Sequence, residues 1–316
     1  MTVRRNMFSS VSIIAITIVL IEISVGLLGN GFIVAINWTD WIKSRKLSSC
    51  NTILTSLGIS RLLLQGTAIV FRSYSFFTLD THKLDNVRIT LRVIRMFANM
   101  TSAWLASCLS VFYCAKIATF THPLFLRAKQ RISGMVPQLL LGSLLLALFT
   151  SIPTVWANHD VYLCNSKGSL LGNTTSAKVN SNVIYLYFSF LYTVMAFFPF
   201  LIFLASSMLL MVSLWRHSRC MQDYAPDLQD SRTRAHVSAI KSLISFLILY
   251  TFSFVGETLQ TMPTCLTDNT WTPAVTSVVV AAYPSGHSIV LILLNPRLKT
   301  ALVQILRHIK CQLRLS

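Results

Sequence analysis

Acidic residues are scarce in this chain: Asp and Glu together number 10 among 316 residues, against 27 Lys and Arg. Charged residues of both signs make up 12%, where a soluble domain usually carries about 25%. Familiar catalytic patterns are missing as well. No H-E-x-x-H or G-x-S-x-G occurs, and no pair of aspartates lies inside an apolar run. Metalloprotease, serine hydrolase and intramembrane protease chemistry therefore lack their groups. In "YPSGHS", Tyr283–Ser288, a serine and a histidine stand close, but Ser285 and His287 point to different faces of a helix. The cysteines show no metal-ligand spacing. Cys50, Cys108, Cys114, Cys220 and Cys311 fall in apolar runs or beside basic stretches, and Cys164 and Cys265 fall in polar connections, where a bridge between them is left open. Nothing here points to an enzyme, a cofactor or a bound metal.

What the chain has instead is apolar length. Hydrophobic residues make up 53%, and the mean hydropathy is +0.62. They lie in seven continuous runs rather than periodic stripes, at 8–36, 48–71, 91–115, 133–157, 183–214, 237–262 and 271–294. Runs of about 20 residues match a bilayer's hydrocarbon core. Only helices or closed barrels satisfy their backbone there, and a barrel would alternate in short segments. The reading is an all-α membrane protein: one seven-transmembrane helix bundle spanning 1–316, joined by short loops. The first run is too long for a signal-peptide core and is taken as helix 1.

Positive charge favours one orientation. Lys43, Arg45 and Lys46, then Arg127, Lys129 and Arg131, then Arg216, Arg219, Arg232 and Arg234 lie on the same side as the basic tail. That places the N-terminus outside and the C-terminus in the cytoplasm, although Arg4 and Arg5 weigh the other way. The net charge of +17 is then a topogenic and lipid-facing feature, not a nucleic-acid footprint. In the tail, 296–316, Leu298, Leu302, Ile305 and Leu306 recur at helical spacing among Arg297, Lys299, Arg307 and Lys310. A short amphipathic helix on membrane lipid fits that pattern; Cys311 within it is either a palmitoylation site or an unmodified thiol. The sequon at Asn173 falls in the longest outside connection, 158–182, and is the expected glycosylation site.

Polar groups at membrane depth are costly and mark sites or structural pairs. Arg61, in helix 2, is expected to act structurally with Asn30, Glu22 or a helix 7 carbonyl. Arg95 and Asn99 share a face of helix 3, and Tyr250, Ser253, Phe254, Glu257 and Gln260 share one of helix 6. These stripes, with Arg72, Tyr192 and Ser277, are the candidate lining of a ligand cavity between helices 3, 5, 6 and 7. Arg95 either faces ligand or pairs with Glu257. If Arg72 and Arg95 both face the cavity, acidic or strongly hydrogen-bond-accepting ligands are expected.

Several segments together resemble the bitter taste receptors, the type 2 taste receptor family of G-protein-coupled receptors. They run in order: "LGNGFIVAINWTDWIK", "LGISRLLLQ", "WLASCLSVFYCAKIATFTHPLFL", "SLWRHSRCMQ", "AHVSAIKSLISFLILY" and "AAYPSGHSIVLILLNPRLK". The marks of rhodopsin-like receptors are missing: helix 3 ends in "FYCAKIA", helix 7 carries "HSIVL", and no cysteine stands at the outer end of helix 3. The resemblance implies a small organic bitter ligand, with Asn99 directed toward it, and a gustducin-type heterotrimeric G protein signalling through phospholipase C and calcium. It also implies that Tyr113, Lys116, His122, Pro123, Arg216, His217, His236, Lys241, Tyr250, His287 and Ser288 serve coupling and activation. Many relatives carry Trp in place of Arg72 and an aromatic residue in place of Arg95. A vomeronasal-type pheromone receptor shares the seven-helix plan. A transporter would need a path of charge pairs, which Glu22 and Arg61 alone do not make. Assembly into like or unlike oligomers is left open.

Overall fold

A computed structural model describes residues 10–77, 81–118, 123–171, 174–224, 229–261 and 271–315, with side chains described for 11–74, 87–118, 123, 125–151, 183, 186–216, 219, 244–260 and 271–312. His122, Asn173 and Cys265 lie outside the described residues, as do the side chains of Cys164, His217, His236 and Lys241. The helices are α1 (Ser10–Ser44), α2 (Ser49–Phe77), α3 (Thr81–Ile117), α4 (Pro123–Leu171), α5 (Thr174–Tyr224), α6 (Gln229–Thr261), α7 (Trp271–Leu294) and α8 (Pro296–Leu315). The first seven form a bundle in which α1 packs on α7 and α2, and α6 on α5 and α7. The third touches α2, α4 and α5 and so occupies the middle.

The surface of this bundle is inverted relative to a protein in water. Leu28, Phe149 and Phe190 are 76%, 67% and 70% exposed, while Arg61, Ser207 and Ser288 are fully buried. Each outward-facing apolar side chain would forgo roughly 1.5–3 kcal/mol in water; lipid removes that cost. Stretches of α1, α2, α3, α4, α5 and α7 are long and apolar enough to cross a membrane, and α6 supplies the shorter Ile244–Gln260. Hydroxyls ride in these helices by bonding carbonyls of their own preceding turn, as Thr67, Ser143 and Thr251 do.

Helix ends differ from the expected spans. The fourth helix covers 49 residues and α5 covers 51, so the polar connection expected at 158–182 is helical over 158–171 and 174–182. Likewise α5 reaches Tyr224 and α6 begins at Gln229, within what reads as a loop. The physical reason is length. At 1.5 Å per residue a helix of this size is about 75 Å long, and lipid needs only ~30 Å of it to be apolar. Apolar runs mark the immersed part and not where the helix stops.

The chain turns from α7 into α8 at Asn295. Its Oδ1 accepts from the backbone N–H of Arg297 at 3.1 Å, and Pro296 follows at the first helical position. Leu298 is buried, and Arg297 forms an ion pair with Asp40 of α1. Ile305, Leu306 and Ile309 remain outward with Arg307 and Lys310, as the tail's spacing predicts.

Close approach of α1 and α7 depends on two glycines. A Cβ on Gly29 would meet Ser288 Oγ at 2.5 Å, and one on Gly26 would overlap the Gln65 amide and Ser285. Gly31, two residues beyond Gly29, faces open space. Gly26→Ala and Gly29→Ala should each cost about 1–3 kcal/mol through overpacking, lowering the thermal midpoint of detergent-purified protein. Gly31→Ala should leave the midpoint unchanged or raised. Equal effects at all three positions would show that α1 does not pack this way.

Candidate functional site

Polar residues on facing helices enclose a cavity of about 330 Å³ in the half of the bundle that carries the α1 N-terminus. Its lining is organised by helical spacing. On α3, Arg92, Arg95, Asn99 and Ser102 recur at three- and four-residue intervals; on α2, Gln65, Ala68 and Arg72 do the same. Three levels result. Arg72, Arg92, Arg95 and Gln260 form the first, nearest the helix ends. Asn99, Tyr192 and Glu257 form the second. Gln65, Ser102, Tyr283 and Pro284 form the floor.

The middle level is a hydrogen-bonded unit. Asn99 Nδ2 lies 2.7 Å from Glu257 Oε2 and 3.1 Å from Tyr192 Oη, so one amide joins α3, α5 and α6. Ser253 Oγ donates to Glu257 Oε1 at 3.4 Å from within the same helix. Arg95 does not bond Glu257 directly; its Nη2 reaches Gln260 Oε1 at 3.5 Å. Met100, Ala147, Tyr192 and Ala196 pack behind this level and fix α3 against α4 and α5.

Beneath the floor is a second polar assembly, closed off from the surface. Arg61 is 0% exposed. Its Nε donates to Ser102 Oγ at 3.3 Å, its Nη2 contacts His287 Nδ1 at 2.5 Å, and its Cζ lies 4.9 Å from the centre of the Tyr283 ring. A guanidinium has only donors, so Nδ1 of His287 must accept and a neutral ring carries its proton on Nε2. The expected partners Glu22, Asn30 and a helix 7 carbonyl are not those found. Asn30 Nδ2 instead donates to Gly26 O at 2.8 Å and approaches Pro284 O at 3.5 Å. Glu22 contributes its backbone carbonyl to Ser285 Oγ at 2.6 Å. Ser285 thus turns to α1 and His287 to α2, and the two do not form a pair. Aromatic rings continue the assembly toward the α8 end: Tyr250 stacks on Tyr283 at 5.1 Å, and Phe246 meets His287 edge-on at 4.2 Å.

Of the candidate ligand residues, Arg72, Arg95, Asn99, Tyr192, Glu257 and Ser277 line the cavity. Ser253 and Phe254 do not; Ser253 supports Glu257 from behind, and Phe254 stacks on Phe200 at 4.7 Å. The cavity takes in more of α2 than Arg72, the one α2 residue expected in its lining: Gln65 and Ala68 face it as well. Gln65, Arg92, Ser102 and Tyr283 were missed. Spacing could have found Ser102, three residues past Asn99, and Gln65, seven before Arg72. Among the residues expected at a G protein, Lys116, Pro123 and Arg216 are exposed. Tyr113 accepts from Cys50 Sγ at 3.4 Å, whereas Tyr250, His287 and Ser288 are buried in the interior.

A buried polar axis beneath a small-molecule cavity, in a lipid-facing seven-helix bundle, is the plan of a transmembrane receptor. The family model Taste receptor protein (TAS2R) matches residues 7–310. Taste receptor type 2 member 8 of Pongo pygmaeus is 35% identical over 304 residues, covering 96% of this chain and 98% of that receptor. Taste receptor type 2 member 40 of Gallus gallus is 35% identical over 309 residues, with 98% of each covered. Member 41 of Rattus norvegicus is 38% identical over 265 residues, covering 84% and 86%. The chain belongs to the type 2 taste receptor family of G-protein-coupled receptors; it is a multi-pass plasma membrane protein and not an enzyme.

Arg61→Met would strand Ser102 and Nδ1 of His287 in a dry interior, at about 1–3 kcal/mol. His287→Leu should cost a similar amount. Because both remove one contact, the double variant should lose clearly less than the sum, read as thermal midpoints in detergent. Additive losses would mean the two groups do not hold each other.

Proposed function

We propose that this receptor detects bitter-tasting small organic molecules in the cavity bounded by Arg95, Asn99, Tyr192 and Glu257, and signals through a gustducin-type heterotrimeric G protein to phospholipase C and calcium. The N-terminus faces outside and α8 lies at the cytoplasmic face, in accord with the positive charge around the shorter connections. Ligand entering from outside meets the arginine level first. The volume of about 330 Å³ suits a small organic molecule.

What supports the reading most is one observation: Asn99 holds Tyr192 and Glu257 together at the cavity wall. A ligand that binds there competes for these donors and acceptors, and so interacts differently with alternative spacings of α3, α5 and α6. Differential affinity of that kind is all that a shift between inactive and active states requires. Tyr250, His287 and Ser288 stand between the cavity and the α8 end. Lys116, Pro123 and Arg216 are exposed toward that end and are suited to meet the G protein.

Intracellular calcium in cells expressing the chain with a gustducin-containing chimeric G protein tests this reading. A broad panel of bitter compounds should include agonists, and Asn99→Ala should raise their half-maximal concentrations roughly tenfold or more at equal surface expression. Full potency in Asn99→Ala would move the site elsewhere. Complete silence of the surface-expressed receptor would overturn the assignment.

A further inference from the structure

Among the described residues, three guanidinium groups, those of Arg72, Arg92 and Arg95, line the cavity together with one carboxyl group, Glu257. That carboxyl is already engaged by Asn99 at 2.7 Å and Ser253 at 3.4 Å. The hydrogen bond of Arg95 goes to the neutral Gln260, at 3.5 Å, which is long for a charged donor. Among the described residues Arg72 has neither a hydrogen bond nor an ion pair, and its electrostatic neighbour is Arg95, a like charge. Like charges held close in a partly desolvated wall repel, and among the described residues no carboxylate pairs with Arg72 to offset that cost. An anionic group seated between Arg72 and Arg95 would replace the repulsion with charge-assisted bonds from two planar forks.

The second level defines the other end of the ligand. Asn99 follows Arg95 by four residues on α3, about 6 Å along the axis. There Glu257 still has acceptor capacity beyond the bonds from Asn99 and Ser253. Between the levels the lining is Met96, Phe188 and Val280, which suits a flat apolar body. We propose, resting on the receptor reading above, that the ligands of this chain are hydroxylated or amide-bearing aromatic acids. The carboxylate or sulfonate lies between Arg72 and Arg95, and the hydroxyl or N–H donates to Glu257. A neutral compound of the same shape leaves the repulsion between Arg72 and Arg95 in place, and a cationic one adds to the positive charge of that level before it reaches Glu257.

Matched pairs test this in the full chain, expressed with the chimeric G protein: 4-hydroxycinnamate and hydroxynaphthoates, each beside its methyl ester. The acid should be roughly tenfold or more the more potent member, as expected for losing a charged hydrogen bond. Arg72→Gln and Arg95→Gln should each weaken the acid by a similar factor and leave the ester within about twofold. Arg72→Lys, which keeps the charge, should recover part of the loss and exclude a misfolded protein as its cause. Esters that equal their acids, acids indifferent to both Gln variants, or activation by neutral or cationic compounds alone would overturn the proposal and leave the receptor reading intact. Silence to acids, esters and a broad neutral panel, with the chain shown at the surface, would overturn both.

Discussion

A single buried cation organises the interior of this receptor. Arg61 carries a charge into the part of the bundle where solvation is poorest, so the surrounding helices must supply what water would. Ser102 from α3 accepts from its Nε and His287 from α7 from its Nη2, and the Tyr283 ring faces its charge. The contacts tie together three helices that share little sequence neighbourhood. They also restrict their partners: His287 must present a lone pair at Nδ1, and Tyr283 must keep its ring turned toward α2. Replacing such a group by a hydrocarbon of equal size can be nearly neutral only when every partner is replaced with it. One cation therefore constrains the chemistry of several positions.

Lipid provides the complementary constraint. Because the outside is apolar, hydrophobic burial does not hold the helices together, and small residues and hydroxyls take over that task. Gly26 and Gly29 let α1 reach the serines of α7. Ser107 donates to the Pro199 carbonyl at 2.6 Å, and Ser206 to Ser110 at 2.7 Å, stitching α3 to α5. The prolines of α5 and α7 lack an N–H, which leaves a carbonyl of the preceding turn open to other partners.

How much of this was legible in the sequence follows from the same physics. Seven helices and their approximate depth could be read because lipid demands continuous apolar length, whatever the packing. Arg95 and Asn99, or Ser253 and Glu257, could be grouped because a helix places residues four apart on one face. The partner of Arg61 could not. His287 lies 226 positions away, and nothing in one chain distinguishes it from Asn30 or Glu22, which are likewise polar residues inside an apolar run. The ends of α4 and α5 were misread for the converse reason: beyond the bilayer a helix continues on polar residues that look like a loop. On α2 only Arg72 could be named in advance, by its charge; Gln65 and Ala68 are unremarkable singly and acquire meaning only once Arg72 is known to face inward.

Tyr283 belongs to two structures at once. Its ring forms part of the cavity floor and also covers the Arg61 guanidinium, with Tyr250 stacked against it. Occupancy above and polar order below are therefore linked functions in the thermodynamic sense. Whatever free energy a bound molecule gains from one placement of that ring over another is the free energy by which it biases the interior, and the interior returns the same amount as affinity. A substitution deep in the bundle that never touches ligand should thus alter how tightly the cavity holds it.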